Sequence, residues 1–457
     1  MPHPYPQSRW SIRLTGAGVC CLALLATGCA SIRPPATNPS ATAQVTLQHR
    51  AWWGDFNDPL LSKLIDQALQ ANTSIRSAQA ALQQARALRD VRVANSRPSL
   101  SLSGSAQRSQ TENFDASNNF RAGLDASWEL DVFGAVRSGI NASEADALAA
   151  QASLRDVQVS IAAEVTLAYI QLRGQQSQLA IAQSNLASQS DTLQLTDWRA
   201  RAGLITSLEV EQARATTAQT AAQIPALTAS IAKTRHSLAI LTGQRPLELD
   251  QVLAAAQPVP QASDLVASVI PADTLRQRAD VRAAEHRIEA ALSRVDAADA
   301  ARYPSFKLGG GLSLSALTLA GLTNGATLAG SLLGSVSVPL FDAGAGKSQV
   351  LAQEAALEQA RASYQATVLT ALKDVEDALV ALSGDRARLQ SLQQAATAAE
   401  NAAMLAQNRY QTGLVDFQTL LQTQRSVLSA QDSLASVQAD LASDHVRLIK
   451  ALGGGWQ

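Results

Sequence analysis

The chain has 457 residues and is almost electrically neutral, with 37 Lys and Arg against 38 Asp and Glu. A nucleic-acid-binding protein needs a basic face, so this balance argues against that class and we expect no nucleic-acid partner. Charged residues make up 16% and aromatic residues 4% of the chain. With Ala, Gln, Leu and Ser dominant, this composition favours long helices that pack closely through small side chains.

The N-terminus has the features of an export signal. Arg9 and Arg13 precede the apolar run Gly16–Gly28, which is too short to span a bilayer and is followed by Cys29. This arrangement resembles a bacterial lipoprotein signal, in which the cysteine is lipidated, and Ala30 in place of Asp points to the outer membrane in that family's sorting rule. The other two cysteines lie inside the signal, so the mature protein must be held by packing without disulfides.

The remainder of the chain contains an internal repeat. The segment Asn72–Leu82 resembles Arg278–Ile288, 206 residues further on, and two glycine-broken helical stretches are centred on Gly203 and Gly413, 210 residues apart. Related blocks in the same order at nearly constant spacing indicate a tandem duplication. The predicted organisation is a signal peptide (1–28), a lipid-anchored extended segment (29–57), a first repeat (58–250), a linker (251–270), a second repeat (271–452) and a short tail (453–457).

Each repeat contains two segments that alternate in polarity. In Phe120–Phe133 the even positions are apolar, and most of the odd positions are polar or charged. Strict period-two alternation predicts a β-strand with one face in each environment. The charged residues of this strand are therefore predicted to share a face that lines water. They are Arg121, Asp125, Glu129 and Asp131.

Long helices with a heptad repeat are predicted on either side of each glycine break. Apolar residues, with one Thr among them, recur every seven positions in four runs: Val165 to Leu193, Val210 to Leu238, Val368 to Leu389 and Leu420 to Leu448. Runs of this length indicate coiled-coil-like packing. The proline-free stretch Arg137–Ala202 predicts a helix roughly 100 Å long, too long to fold back into a compact globule.

The alternating strands are the candidates for crossing a membrane, because the sequence after the signal contains no apolar run of transmembrane length. Two strands per repeat give four per chain, whereas the smallest bacterial barrels have eight. The chain would have to share a barrel with copies of itself. The strand count alone leaves open a dimer with eight strands or a trimer with twelve.

Several blocks resemble the TolC-like outer-membrane efflux channels, in particular the lipid-anchored OprM/NodT type. They are Ala51–Asn72, Arg278–Phe306, Pro339–Gly344 and the two glycine breaks. The resemblance covers about residues 29–452. It implies a homotrimer in the outer membrane of a Gram-negative bacterium, with most of its mass in the periplasm. Three chains would form one twelve-stranded transmembrane β-barrel, continued by a long α-helical coiled-coil barrel in the periplasm.

The resemblance also implies roles for particular residues. The glycine breaks would be the helix-to-helix turns at the periplasmic tip, where Gly203, Leu204, Gly413 and Leu414 would dock a periplasmic adaptor protein. In OprM-like relatives a Leu and an Asp four residues apart form the narrowest rings. The matching gate positions in this chain are Gln418 and Gln422. Tyr410 and Asp416 lie near them in the sequence and are assigned to the same gate.

The expected function is the exit duct of a tripartite efflux system, working with an inner-membrane pump and a periplasmic adaptor. The sequence lacks a plausible nucleophile, metal-ligand or nucleotide-binding pattern. We therefore expect no enzymatic activity, no metal and no cofactor beyond the lipid on Cys29. The alternatives are the duct of a type I protein-secretion or metal-efflux system, and a coiled-coil spacer lipoprotein without a channel.

Overall fold

The computed structural model describes residues 52–110, 116–262 and 276–454. The predicted signal peptide and Cys29 lie outside these ranges. After a short 3₁₀-helix at Trp52–Phe56, the first half contains α1 (Pro59–Ala71), α2 (Thr73–Asn95), β1 (Ser99–Ser109), β2 (Ser117–Leu130), α3 (Ala135–Arg201) and α4 (Ser207–Leu241). The second half contains α5 (Ala279–Ala300), β3 (Ser305–Ala316), a 3₁₀-turn (Ala320–Leu322), β4 (Thr327–Ser337), α6 (Ala345–Gln411) and α7 (Phe417–Ala451).

The predicted duplication is confirmed in the helices. Helices α3 and α6 both contain 67 residues, and α4 and α7 both contain 35. The long helices α6 and α7 each begin 210 residues after their counterparts α3 and α4, and α5 begins 206 residues after α2. Heptad positions such as Val165, Leu172 and Leu382 are buried, as coiled-coil-like packing requires. Within the described ranges, none of the helices combines the length and apolarity needed to cross a bilayer.

The four strands form one antiparallel sheet in the order β1-β2-β3-β4. The central pair β2–β3 joins the two halves of the chain, with Leu124 opposite Leu312. Strands of this length suit a tilted transmembrane segment. Because β1 and β4 stand at the edges, each presents backbone groups that a neighbouring strand can pair. This arrangement fits a barrel shared between several chains.

The alternation predicted a strand as far as Phe133, but β2 ends at Leu130. Asp131 therefore does not belong to the strand. Its carboxylate accepts hydrogen bonds from the backbone N–H groups of Val136 (3.0 Å) and Arg137 (2.8 Å). The first N–H groups of a helix have no partner within the helix. In α3 two of them donate to Asp131, the residue that the alternation predicted to line the lumen.

A series of buried polar contacts joins Asp58, which precedes α1, and Ala255, which lies in the linker, to α3. Arg173 is 1% exposed and donates to the carbonyl of Ala255 (2.7 Å) and to the hydroxyl of Tyr169 (2.9 Å). The Tyr169 hydroxyl in turn donates to Asp58 Oδ2 (2.6 Å). The pKa of Tyr169 is raised to about 12, mainly because the side chain is buried and also because its hydroxyl donates to Asp58. The phenol stays protonated in neutral solution and continues to donate to Asp58.

Candidate functional site: the pore lining and the helical tips

The register of the sheet brings three of the predicted lumen residues to one face. Arg121, Asp125 and Glu129 are four residues apart along β2 and therefore lie on the same face of the strand. Asp125 Oδ2 accepts a hydrogen bond from Ser103 Oγ on β1 (2.9 Å), and Glu129 lies 3.5 Å from Lys307 Nζ on β3. This polar face therefore runs across neighbouring strands and carries both signs of charge.

Glycine in β3 keeps space open on the polar face. A Cβ atom at Gly311 would lie 3.2 Å from Ser331 Oγ and 3.3 Å from Asp125 Oδ1. These contacts are tighter than most real Cβ contacts, so a larger residue would crowd the carboxylate. The glycine therefore leaves room for the Asp125 carboxylate on the polar face of the sheet.

The opposite face of the sheet is apolar and unusually exposed in the single chain. Leu102, Leu124 and Leu312 follow one another across three strands. Leu102 is 76% exposed and Leu332 on β4 is 88% exposed. A contiguous apolar surface of this kind marks contact with lipid or with another protein. Its position opposite the charged face favours lipid outside and water inside.

Both glycine breaks have the same turn geometry. Gly203 has φ +72° and Gly413 φ +78°, the left-handed conformation that glycine adopts without strain. The N–H of Leu204 bonds to the carbonyl of Arg199 (2.9 Å), and that of Leu414 to the carbonyl of Arg409 (2.8 Å). These six-to-one bonds, with a five-to-two bond inside each, define a Schellman motif.

Each turn then starts the returning helix with a capping residue. Asp416 accepts from the backbone N–H of Thr419 (2.8 Å), while Thr206 forms a capping box with Glu209. Hydrogen bonds from Thr419, through its hydroxyl and its backbone N–H, hold the pKa of Asp416 below its usual value. The Thr206 hydroxyl does the same for the pKa of Glu209. Both acids therefore keep their negative charge in neutral and mildly acidic solution.

The turns present an open surface. A Cβ atom at Gly203 or Gly413 would meet nothing within 4 Å. Leu204 is 73% exposed and Leu414 is 75% exposed. The two tips therefore offer apolar side chains next to a bare backbone, which suits contact with another protein.

The predicted gate residues have different environments. Gln418 is exposed and donates from Nε2 to Gln212 Oε1 on α4 (2.6 Å), whereas Gln422 is exposed one helical turn later. Tyr410 is 3% exposed and packs edge-on against Phe417, with 6.0 Å between ring centroids. The structure therefore places Tyr410 in the core of the tip and leaves the two glutamines on its surface.

Two residues at the tip were not identified from the sequence as functional. The guanidinium of Arg199 lies 4.4 Å from the ring centroid of Tyr410, and its Nη2 donates to the carbonyl of Gln411 (2.8 Å). Gln212 is the partner of Gln418. The available signal was the repeat itself, since Gln212 stands 210 residues before Gln422.

Nothing in the described ranges suggests a metal centre, since no three His, Cys, Asp or Glu residues there are grouped to hold an ion. The described residues instead form a sheet with one polar and one apolar face, long paired helices and two open turns.

Known proteins with this organisation are outer-membrane channels. Residues 64–244 and 270–454 match the outer membrane efflux protein family. The solvent efflux pump outer membrane protein SrpC of Pseudomonas putida is 31% identical over 334 residues, which are 71% of this chain and 70% of that protein.

Solved structures agree. The outer-membrane channel OprN superimposes with a TM-score of 0.84 at 36% identity, covering 89% of this chain and 92% of that chain. The outer membrane protein VceC of Vibrio cholerae superimposes with a TM-score of 0.81 at 28% identity, covering 89% and 99%.

The resemblance drawn from the sequence blocks is thereby confirmed, as are the fold class, the outer-membrane location and the role in efflux. The two matched segments fall on the two halves of the chain, so the family pattern extends over the whole duplicated body. The chain belongs to the outer membrane efflux protein family.

Proposed function

We propose that three copies of this chain form a passive exit duct, which receives cargo from an inner-membrane pump through a periplasmic adaptor. The observation that carries the proposal is the four-stranded sheet, with one charged face, one exposed apolar face and an open edge on each side. Four strands are half of the smallest bacterial barrel, and three copies supply twelve. The four long helices of each chain would then supply a twelve-helix tunnel below the barrel.

Conductance tests this function directly. The purified protein is expected to form a trimer and to conduct ions in planar lipid bilayers. It is also expected to restore export of a dye to a strain that lacks its own outer-membrane efflux channel. A spacer lipoprotein without a lumen would give neither result, and its failure in both assays would end the proposal.

The membrane anchor is proposed to be a lipid on Cys29, the cysteine at the end of the signal. Mass spectrometry of the mature N-terminal peptide is expected to find that cysteine acylated. An unmodified peptide beginning at another residue would contradict this assignment. The Cys29→Ser variant is expected to insert its strands nonetheless. One acyl chain contributes only about 0.8 kcal/mol per buried methylene, and burial of the strands does not depend on it.

Energy coupling is assigned to the pump, because proteins of this family are channels. Docking is assigned to the open turns at Gly203 and Gly413 with their exposed leucines. A backbone without a Cβ lets another protein approach closely, and two such turns per chain would give a trimer six docking points in a ring.

The gate is proposed to close through neutral amides. Gln418 already bonds to Gln212 of its own chain, which leaves Gln422 to face the aperture. Amides can donate and accept across the axis without net charge. Three carboxylates at the same level would attract multivalent cations, as the Asp of OprM-like relatives implies.

The Gln422→Asp variant is therefore expected to bind a multivalent cation blocker more tightly than the wild type when the blocker is added from the periplasmic side. Single-channel recording measures the change. The Gln422→Asn variant has nearly the same size as the Asp variant and carries no charge, so it is expected to behave like the wild type. Unchanged block in Gln422→Asp would show that this residue does not line the aperture.

A further inference from the structure

The polar face of the sheet contains one residue that does not match its surroundings. Odd-numbered residues of all four strands share this face, because the register pairs odd positions with odd positions throughout. Leu333 on β4 is one of them and is 64% exposed. At the other odd-numbered positions of the four strands, the side chains are polar, charged or no larger than that of Ala. Within these strands, Leu333 is therefore the one large apolar side chain that would face the lumen.

The neighbours of Leu333 leave it uncovered. In the row that crosses the sheet, Leu333 lies opposite Gly309, which in turn lies opposite Ser127. A Cβ atom at Gly309 would lie 4.0 Å from the Cβ of Leu333, so a larger residue there would cover one side of the leucine. Contact with an apolar group would remove leucine surface from water, which is favourable. The wall of the barrel therefore offers an apolar contact among hydrated side chains.

The rows on either side of Leu333 differ in charge. On one side, Glu129 is neutralised by Lys307, whose Nζ lies 3.5 Å away. On the other side, Asp125 accepts a hydrogen bond from Ser103, and among the described residues it has no cationic side chain within ion-pair distance. The usual spacing of strands and rise of residues place Leu333 and Asp125 about 12 Å apart along the wall. An apolar side chain and a carboxylate at this separation complement a cation whose charge is surrounded by apolar groups.

We infer that each chain carries, on the lumen wall of the barrel, a binding site for a lipophilic organic cation. Leu333 contacts an apolar group of the ligand, Gly309 leaves the space for it, and the carboxylate of Asp125 attracts the charge. A central charge with aromatic rings around it fits this arrangement, because one ring can lie on Leu333 while the charge lies between the leucine and the carboxylate. The inference rests on the proposed trimeric duct and adds a class of cargo that its wall holds.

Protection of a nearby thiol tests the site without requiring the ligand to close a wide lumen. Ser331→Cys places a reporter two residues from Leu333 on the same face of β4. The mature chain otherwise carries only the cysteine proposed to be lipidated. The trimer in phosphatidylcholine vesicles is treated with methyl methanethiosulfonate, a neutral reagent, and the rate of modification is measured. Tetraphenylphosphonium is expected to slow the reaction, whereas tetramethylammonium, which lacks aromatic rings, is expected to leave it unchanged.

Adjacent leucines supply the matched control. Leu333→Ala in the reporter protein is expected to raise the tetraphenylphosphonium concentration needed for half-protection roughly fivefold to tenfold, because contact with a leucine side chain is lost. Leu332→Ala makes the same truncation on the opposite face of the sheet and is expected to leave that concentration unchanged. Gly309→Leu adds a second leucine beside the first and is expected to lower it, a gain that misfolding would not produce.

The charge is tested separately with a neutral ligand. Triphenylphosphine oxide carries the same aromatic rings without a net charge and is expected to protect the reporter less than tetraphenylphosphonium does. Asp125→Asn is expected to remove this difference between the two ligands and to leave protection by the neutral one unchanged. An undiminished preference for the cation in Asp125→Asn would show that this carboxylate does not attract the ligand.

Equal half-protection concentrations in the reporter protein and its Leu333→Ala variant would overturn the site. Equal weakening by Leu332→Ala would do so as well, since it would assign the protection to ligand dissolved in the lipid. Each protein is also recorded in planar bilayers. A reporter protein that conducts ions without being protected would remove the site and leave the duct standing, whereas a wild type that does not conduct would remove the proposed function itself.

Discussion

The Leu124→Arg variant is expected to fail to insert into the outer membrane. Leu124 lies between Leu102 and Leu312 on the apolar face of the sheet and is 42% exposed in the single chain. A cation that faces lipid near the bilayer midplane costs roughly 2–4 kcal/mol, and a trimer would carry three of them. The measurement is the amount of heat-modifiable trimer in the outer-membrane fraction, compared with the wild type.

The neighbouring substitution is the matched control. Asp125→Arg introduces the same side chain one residue later, on the polar face beside Ser103. It is expected to insert and to export, and its reversal potential in bilayers is expected to shift toward anion selectivity, because a negative charge in the lumen becomes positive. Equal loss of insertion in both variants would mean that the two faces of the sheet have been assigned wrongly.

The large features of this fold can be predicted from sequence because they arise from short periods and from the repeat. Alternation along Phe120–Leu130 requires only that one face of a strand be wet and the other dry. The heptads of the long helices and the positions of Gly203 and Gly413 are equally local signals. Duplication strengthens each of them, since the same pattern occurs a second time in the same order.

The features that sequence reasoning placed wrongly or missed depend on contacts that no short period encodes. Asp131 continues the alternation of β2 in the sequence, yet in space it meets the free N–H groups of α3. Tyr410 was grouped with the gate, whereas packing against Phe417 and Arg199 buries it. The Gln212–Gln418 bond joins residues that are 206 positions apart, and only the approach of α4 and α7 at the tip brings them together.

Replacing both tip glycines by leucine, Gly203→Leu with Gly413→Leu, is expected to abolish export while leaving the trimer assembled. Both residues have positive φ, where an L-residue costs roughly 1–2 kcal/mol. That cost falls on a turn at the exposed end of four long helices, far from the sheet and from the buried contacts of Arg173, so assembly is expected to survive. The new side chains would enter space that is empty in the single chain and that the adaptor is proposed to occupy.

Strain and bulk can be separated with alanine. Gly203→Ala with Gly413→Ala imposes a similar backbone strain but adds only a Cβ atom, which meets nothing within 4 Å in the single chain. If close approach by the adaptor explains the glycines, the alanine pair keeps most of its export and the leucine pair loses it, although both form SDS-resistant trimers. The direct measurement is capture of the detergent-solubilised trimer by the immobilised adaptor. Equal loss of capture in both pairs would assign the glycines to the conformation of the turn alone, and normal capture and export by the leucine pair would remove the tips from the docking surface.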